Sequence, residues 1–308
     1  MNSEMTKVSL WLEGIFYRGG AGHLAFLARR LSGLGTLAFL IIHVVDTAMV
    51  YFWPAVYDQA IALYRSAPFM LGEILLAAAV IYHSVNGLNL ILHDTFPQWW
   101  NQTTEQQNLL RVAVISAVLW MPAAALMGRA LYYRHLCPAC SPLPLPDVNA
   151  AANLSLIVMP LVFISVLALL FFGNRLRRAA PAHISLPSST VKRSGEAWSW
   201  LLMRWSGFLL VPIVWIHLLL QDVLVGVHAI DLDYVALRWA TLGWRVYDLA
   251  LLAFALGHGM NGLRGVLLDY LPQATWRRIV GWGILGLWLI ITALGATAAI
   301  GGVKHSTP

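Results

Sequence analysis

The sequence predicts an all-α integral membrane protein with about seven transmembrane helices. Of its 308 residues, 59% are hydrophobic and 11% are charged, whereas soluble domains contain about 25% charged residues. The mean hydropathy is +0.69. Apolar runs of about 20 residues, the length that a helix needs to cross a bilayer, recur along the chain. Outer-membrane barrels instead show alternating segments of about ten residues, so these continuous runs argue against that class.

The predicted spanning helices follow one another as two repeats and a linker. We expect them over residues 30–53, 70–93, 111–130, 153–173, 203–225, 245–269 and 278–301. The first three form one repeat and the last three form another, while the fourth carries no charge and no histidine. Three crossings leave the chain on the far side of the membrane. A second repeat in the same orientation therefore needs a fourth crossing, and we expect parallel repeats about an axis along the membrane normal.

The distribution of basic residues orients this arrangement. Lysine and arginine are concentrated in the segments that face the cytoplasm if the N-terminus is inside, so the positive-inside rule predicts a C-terminus outside. The net charge of +6 then reflects topology and does not indicate nucleic-acid binding. The expected organisation is an inner N-terminal segment (1–28), a first repeat (29–135), an outer loop with the linker helix and an inner linker (136–199), and a second repeat (200–308).

Cys137 and Cys140 are the only cysteines of the chain and lie in the predicted outer loop. Covalent haem attachment needs a histidine directly after the second cysteine, and Ser141 stands there. An oxidising compartment permits a bond between the two, although we expect the four-residue span to strain its geometry. A loop disulfide or two free thiols are the main interpretations, and a redox or metal role is a further one.

The two repeats carry the same polar residues and glycines at the same spacing. The first repeat has Arg30, Ser32, Gly33, His43, His83, Asn86, Gly87 and Asp94, and the second has Arg204, Ser206, Gly207, His217, His258, Asn261, Gly262 and Asp269. The offset is 174 residues through the first histidine and 175 from the second histidine onward. One residue inserted in the connection between the two histidines accounts for the change.

Four of these residues are histidines within predicted spanning helices. An ionisable side chain there is a functional hypothesis by default, and imidazole is a common ligand of haem iron. Equivalent residues of parallel repeats lie at equal depth on opposite sides of the axis. We therefore expect His43 to face His217 and His83 to face His258, the latter pair nearer the inner face, with two stacked b haems ligated from both sides. The alternative is that each histidine only hydrogen-bonds a neighbouring helix.

These motifs resemble the cytochrome b membrane anchors of succinate dehydrogenase and fumarate reductase (complex II). The stretch from His83 to Asp94 is similar to the C-type anchor, and the stretch from His258 to Tyr270 is similar to the D-type anchor. The chain looks like both anchors fused, with the fourth helix joining them. The resemblance implies that His83 and His258 ligate the haem nearest the iron–sulfur subunit.

The resemblance also implies a second haem and a quinone site. Diheme members have histidines at the positions of His43 and His217. The family's quinone pocket lies at the inner face, where Arg30 matches its arginine and Tyr270 matches its tyrosine, while Phe26 stands where some members have a serine. The residues expected to contact menaquinone or ubiquinone, or the haem propionates, are Arg30, Ser32, Asp94, Arg204, Ser206, Arg264, Asp269 and Tyr270.

Succinate oxidation itself is expected on other subunits. The sequence has no flavin-binding fingerprint and no iron–sulfur cysteine cluster, so a flavoprotein subunit and an iron–sulfur subunit would dock at the inner face. The resemblance implies a multi-pass protein among the lipids of a prokaryotic inner membrane, passing electrons to quinone, with a higher oligomer left open. The alternatives are the b-haem subunit of another quinone-linked dehydrogenase, a haem-free transporter built from repeats, and a purely structural anchor.

Overall fold

The computed structural model describes residues 19–100, 104–140, 148–175 and 194–304, and the regular structure in these ranges is helical. The helices are α1 Ala21–Phe52, α2 Pro54–Tyr64, α3 Ala67–Thr95, α4 Glu105–Leu131, α5 Val148–Arg175, α6 Gly195–Leu218, α7 Leu232–Ala240, α8 Leu242–Asp269 and α9 Ala274–Gly301. Two of them, α4 and α6, continue as π-helical turns over Tyr132–Leu136 and Leu219–Val225. Parts of the predicted N-terminal segment (1–18), inner linker (176–193) and second repeat (305–308) lie outside the described residues.

Seven of these helices (α1, α3, α4, α5, α6, α8 and α9) are long and apolar enough to cross a membrane. The predicted fold class is confirmed. Several helices extend beyond the predicted apolar runs, notably α1 and α6, which begin at Ala21 and Gly195. A helix continues past its apolar stretch where its terminal backbone groups find partners. At the start of α6, the Ser194 hydroxyl accepts a hydrogen bond from the Ala197 amide at 3.3 Å.

Two short helices, α2 and α7, were not predicted from the sequence. Each follows the first spanning helix of its repeat and precedes the second. Pro54 begins α2 with a residue whose φ suits the first helical turn. The Asp231 carboxylate caps α7 by accepting a hydrogen bond from the Tyr234 amide at 2.8 Å. Both helices bury side chains, among them Tyr57 and Trp239, in one cluster with residues of α1 and α9.

The packing of the repeats is reciprocal. In each repeat the first spanning helix contacts the second helix of the other repeat, so α1 packs against α8 and α6 packs against α3. In addition, α1 packs against α9 and the π-helical turn after α6 packs against α4. This exchange is what a two-fold axis along the bundle produces. We call the end at which α3 and α8 finish the inner end, and the opposite end the outer end.

The linker helix α5 lies beside the first repeat and α6. Its Val166 and Leu170 are buried in a cluster with side chains of α3, α4 and α6. A polar contact adds to this packing, because the Arg111 guanidinium donates hydrogen bonds to Asn89 Oδ1 at 2.9 Å and Asn174 Oδ1 at 2.7 Å. These bonds join α4, α3 and α5 at one point. The linker helix is therefore attached by both apolar and polar contacts.

Cys137 and Cys140 form a disulfide directly after the π-helical turn of α4. Their Cα atoms are 5.4 Å apart, which lies within the usual range of about 4.4–6.8 Å for bonded cysteines. The separation is short because the chain turns between the two residues, where the Cys140 amide donates a hydrogen bond to the Cys137 carbonyl at 3.0 Å.

Candidate functional site

The four repeated histidines meet as two pairs inside the bundle. The ring centroids of His83 and His258 are 6.2 Å apart with their planes at 85°, and those of His43 and His217 are 6.1 Å apart with their planes at 77°. Each pair takes one ring from each repeat. On α1, the hydroxyl of Ser32 lies beside His83, and His43 follows 11 residues later on the same helix. At about 1.5 Å per residue, the two histidine pairs are about 16 Å apart along the helix axis.

A cavity of about 710 Å³ surrounds His83 and His258. Its wall includes four repeated glycines, Gly33, Gly87, Gly207 and Gly262, and its inner rim carries the arginines Arg29, Arg30, Arg204, Arg264 and Arg277. A Cβ atom at Gly87 would meet no other atom within 4 Å, so the wall is open on that side of the histidine. The cavity is mainly apolar, and its rim has an excess of positive charge.

A second cavity of about 840 Å³ surrounds His43 and His217 nearer the outer end. The short helices α2 and α7 contribute part of its wall, including Tyr57 and Trp239. Its polar lining differs from that of the inner cavity, since it includes the carboxylates Asp46, Glu73, Asp222 and Asp248 and, among the described residues, a single arginine, Arg238. Both volumes lie within the range of about 300–1,000 Å³ that is common for small-molecule and cofactor sites.

One buried ion pair lies beside the outer cavity. Arg238 donates two hydrogen bonds to Asp248, at 3.0 and 2.7 Å, and the Trp239 indole donates a third at 2.9 Å. Burial alone would lower the pKa of Arg238, but the hydrogen bonds and charge of Asp248 outweigh it, so the pKa of the guanidinium lies above its ordinary value. These three hydrogen bonds hold the Asp248 carboxylate against Arg238 and Trp239.

The two histidine pairs fit a cofactor that carries a metal ion and itself provides most of the ligands of that ion. Two imidazoles on opposite sides of one metal, each with a bond of about 2.0–2.1 Å, have ring centroids about 6 Å apart, which matches both observed pairs. Within the described ranges, no group of three or more histidine, cysteine or acidic residues could hold a metal ion. A metal held here by two imidazoles would take its remaining ligands from a macrocycle such as haem.

At the inner end, two ion pairs connect the repeats reciprocally. Arg30 of the first repeat bonds Asp269 of the second. Arg204 of the second repeat bonds Asp94 of the first, with Nε 2.6 Å from Oδ2. Each arginine also lies over an aromatic ring one turn earlier in its helix, Arg30 over Phe26 at 4.2 Å and Arg204 over Trp200 at 4.7 Å. The arginines are thus held at the rim by two contacts each.

The structure separates the predicted quinone or propionate residues into two groups. Those that line the inner cavity are Arg30, Arg204, Arg264 and Asp269, and Arg264 also donates a hydrogen bond to Glu196 at 3.1 Å. Those outside its wall are Ser32, Ser206, Asp94 and Tyr270. Tyr270 is 65% exposed just after α8.

The two motif serines contact the inner histidines. The Ser206 hydroxyl lies 3.0 Å from His258 Nδ1, and the Ser32 hydroxyl lies 3.5 Å from His83 Nδ1. Sequence reasoning missed this contact, and it gave no role to Gly33 and Gly207. Their repetition at the same offset as the histidines was the available signal.

Comparison with known proteins assigns the family. The sequence profile of the succinate dehydrogenase/fumarate reductase transmembrane subunit matches residues 15–123 and 178–295. The chain belongs to this family. It is also similar to succinate dehydrogenase 2 membrane subunit SdhC of Mycobacterium tuberculosis (strain ATCC 25618 / H37Rv), with 32% identity over 132 residues, which are 42% of this chain and 94% of that protein.

The two matched stretches are the two halves of the duplicated sequence. The first contains His43 and His83, and the second contains His217 and His258. Membership of a transmembrane-subunit family agrees with the seven apolar helices, so the chain is a multi-pass membrane protein. It is a membrane anchor subunit of the succinate dehydrogenase/fumarate reductase type.

Proposed function

We propose that this chain is a diheme cytochrome b anchor of succinate:quinone oxidoreductase, with the C-type and D-type anchors fused into one polypeptide. The observation that carries the proposal is the meeting of two histidine pairs, one ring from each repeat, with centroids 6.1 and 6.2 Å apart. The family profile supports it by matching twice, once in each half. The domain organisation proposed is the one given by the repeats, 29–135 and 200–308, with the linker helix between them.

In this proposal, His83 and His258 hold an inner haem b, and His43 and His217 hold an outer one. Each haem supplies one-electron redox chemistry when bound. The mainly apolar walls of both cavities would surround each haem with side chains that bind water poorly. The inner rim arginines offer guanidinium groups that pair well with carboxylates such as propionates.

Quinone would bind at the inner end, beside the Arg30–Asp269 pair. Arg30 and Asp269 line the inner cavity, and Tyr270 is exposed next to them. The Tyr270 hydroxyl would donate a hydrogen bond to a quinone carbonyl, and Asp269 would relay a proton. Ser32, Ser206, Asp94, Arg204 and Arg264 stay predicted contacts of quinone or propionates. The quinone would be menaquinone or ubiquinone.

The proposed partners are the iron–sulfur subunit and the flavoprotein subunit of complex II. They would bind at the inner end, where the basic rim residues and Tyr270 are accessible. With the N-terminus inside, the inner end faces the cytoplasm of a prokaryotic cell, as the positive-inside rule requires. The chain then passes electrons between the iron–sulfur subunit and membrane quinone, and does not oxidise succinate on its own.

The test is a haem count on the purified complex. We expect a dithionite-reduced spectrum typical of b haems, and two haems per chain by pyridine haemochrome assay. We also expect a flavoprotein and an iron–sulfur protein to co-purify with the chain in equal amounts. A complex with one haem or none per chain would contradict the diheme assignment, and different partners would contradict the complex II assignment.

A further inference from the structure

We infer that the Ser-Gly pair in each Arg-x-Ser-Gly motif positions the inner haem ligand: Ser32 and Gly33 position His83, and Ser206 and Gly207 position His258. The inference rests on the proposed function, since it concerns how the chain prepares two imidazoles to bind one iron. It gives the repeated motif a role that differs from the predicted quinone or propionate contact. These serines are positioning residues that act through the histidines.

The hydroxyl hydrogens of the serines are already committed, which decides the direction of each contact. Ser206 donates to the Leu202 carbonyl, so its oxygen can only accept from His258 Nδ1, 3.0 Å away. Ser32 donates to the Arg29 carbonyl at 3.1 Å, and its oxygen lies 3.5 Å from His83 Nδ1. A hydroxyl that donates elsewhere selects the imidazole tautomer with its proton on Nδ1. The Nε2 lone pair of each ring then stays free for a metal.

A backbone acceptor adds to the contact of His83. Its Nδ1 lies 3.2 Å from the Arg29 carbonyl oxygen, and Ser32 lies in the same helical turn as Arg29. His83 is therefore held by a serine and by a main-chain group of α1.

The motif glycines let each ring lie against the neighbouring helix. A Cβ atom at Gly33 would lie 2.6 Å from His83 Cε1, and one at Gly207 would lie 3.1 Å from His258 Cε1. Both distances are too short for ordinary packing, so any other residue would displace the ring. The backbones of α1 and α6 thereby limit the rotation of the rings, whose planes stand at 85° to each other.

The outer histidine pair has no equivalent contact with a serine and a glycine among the described residues. A histidine in a spanning helix of this bundle therefore does not always make such a contact. The buried Nδ1 atom of His217 has no hydrogen-bond partner among the residues that the structure describes. His43 is instead stacked on Phe39, with centroids 5.4 Å apart and planes at 15°. The Ser-Gly contact is thus specific to the inner pair and occurs twice there.

Two measurable properties follow for the inner haem. A hydrogen bond from Nδ1 increases the electron donation of an axial imidazole and strengthens its bond to the metal, which favours the ferric state and lowers the midpoint potential. The angle between the two imidazole planes sets the anisotropy of the low-spin ferric EPR signal, because perpendicular planes leave the iron d orbitals nearly degenerate. A ring released from its serine would change both.

The experiment uses the intact purified complex with the variants Ser206→Ala and Ser32→Ala. We expect both to keep two haems per chain, to raise the midpoint potential of one haem only, and to move the largest g value of that haem. The shift should be larger for Ser206→Ala, because its contact is 3.0 Å and that of Ser32 is 3.5 Å. Ser206→Thr keeps the hydroxyl and should restore the wild-type values.

Ser116→Ala is the matched control. Ser116 is also buried in a spanning helix and donates to the carbonyl four residues earlier, that of Val112, at 2.7 Å. It lines neither cavity, so we expect no change in potential or g value. Spectra of Ser206→Ala and Ser32→Ala that match those of Ser116→Ala would overturn the inference. So would a larger shift for Ser32→Ala than for Ser206→Ala.

Failure of the proposed function gives a different result. If His258→Ala contains as many haems as the wild-type complex, His258 holds no haem. The haem assignment is then wrong, whatever the serine variants show. If that haem is present in the wild type and is lost from Ser206→Ala, the Ser206→Thr spectrum decides. Wild-type potential and g value in the threonine variant support positioning through the hydroxyl, and altered values overturn it.

Discussion

The two histidine pairs have almost the same ring separation but lie in different surroundings. The inner pair is surrounded by repeated residues: the serines, glycines, arginines and aspartates of both halves occur in equivalent contacts. The outer pair is surrounded by residues that differ between the halves. Glu73 and Asp248 occupy equivalent positions at the offset of 175, yet only Asp248 has an arginine partner, Arg238, within the described part of the chain.

This difference shows which part of the duplicated unit has been kept symmetric. At the inner site, one short motif in each half makes the equivalent contact with a histidine. The outer cavity is lined in part by α2 and α7, whose sequences differ, and its carboxylates have different partners. The comparison predicts that substitutions of equivalent residues have similar effects at the inner end and unequal effects at the outer end.

The largest expected effect is the loss of one haem. His258→Ala should remove the inner haem and keep the outer, while His217→Ala should do the reverse, because the two pairs lie about 16 Å apart along α1. The pyridine haemochrome assay should report one haem per chain for each variant instead of two. His228→Ala, at a residue outside both cavity walls, is the control and should keep both haems. Loss of both haems from a folded His258→Ala protein would refute separate pairs.

A smaller effect is expected on stability at the outer end. Asp248→Ala should destabilise the protein by about 3–5 kcal/mol, because it leaves the buried Arg238 charge without its partner. Glu73→Ala, at the equivalent position, should cost less, since no described ion pair involves Glu73. The midpoint of thermal unfolding in detergent measures both. Equal losses in the two variants would show that the outer cavity is as symmetric as the inner one.

The smallest effect on stability is expected for the ion pairs between the repeats at the inner end. The side chains of Arg30 and Asp269 are 23% and 54% exposed, and those of Arg204 and Asp94 are 25% and 28% exposed. Asp269→Asn and Asp94→Asn should each cost less than about 1 kcal/mol, because solvent screens such pairs.

Quinone kinetics would separate these two equivalent aspartates. If quinone binds beside Arg30, Asp269→Asn should raise the KM for quinone and Asp94→Asn should leave it near the wild-type value. Succinate oxidation with a soluble electron acceptor is the control, since it bypasses the anchor. A raised KM in Asp94→Asn alone would indicate that quinone binds beside the Arg204–Asp94 pair, on the other side of the two-fold axis.

Much of the fold could be predicted because its signals are local or repeated. A spanning helix is an apolar run of sufficient length, and all seven were predicted. The meeting of His43 with His217 and of His83 with His258 was predicted from symmetry alone, since equivalent positions of parallel repeats share a depth. The short helices α2 and α7 were missed because helices of 11 and 9 residues are below the length that hydropathy detects.

The contacts of Ser32 and Ser206 with the inner histidines could not be predicted from the sequence. Both serines lie near an arginine at the predicted start of a spanning helix, which suggested a contact with quinone or propionates. Their partners are on a different helix of the same repeat, and only the packing of α1 on α3 and of α6 on α8 brings them together. The reciprocal pairing of Arg30 with Asp269 has the same origin, since it joins residues 239 positions apart.

The sequence alone determined the number of spanning helices, the duplication and the depth of each histidine, because hydropathy and a constant offset are properties of the linear chain. Only the tertiary structure decided which atom of each inner imidazole faces a serine, which arginine meets which aspartate, and which helices line the outer cavity. Those features depend on side-chain directions across helix interfaces. Small differences in packing set these directions, and equivalent residues in the two halves can therefore acquire different partners.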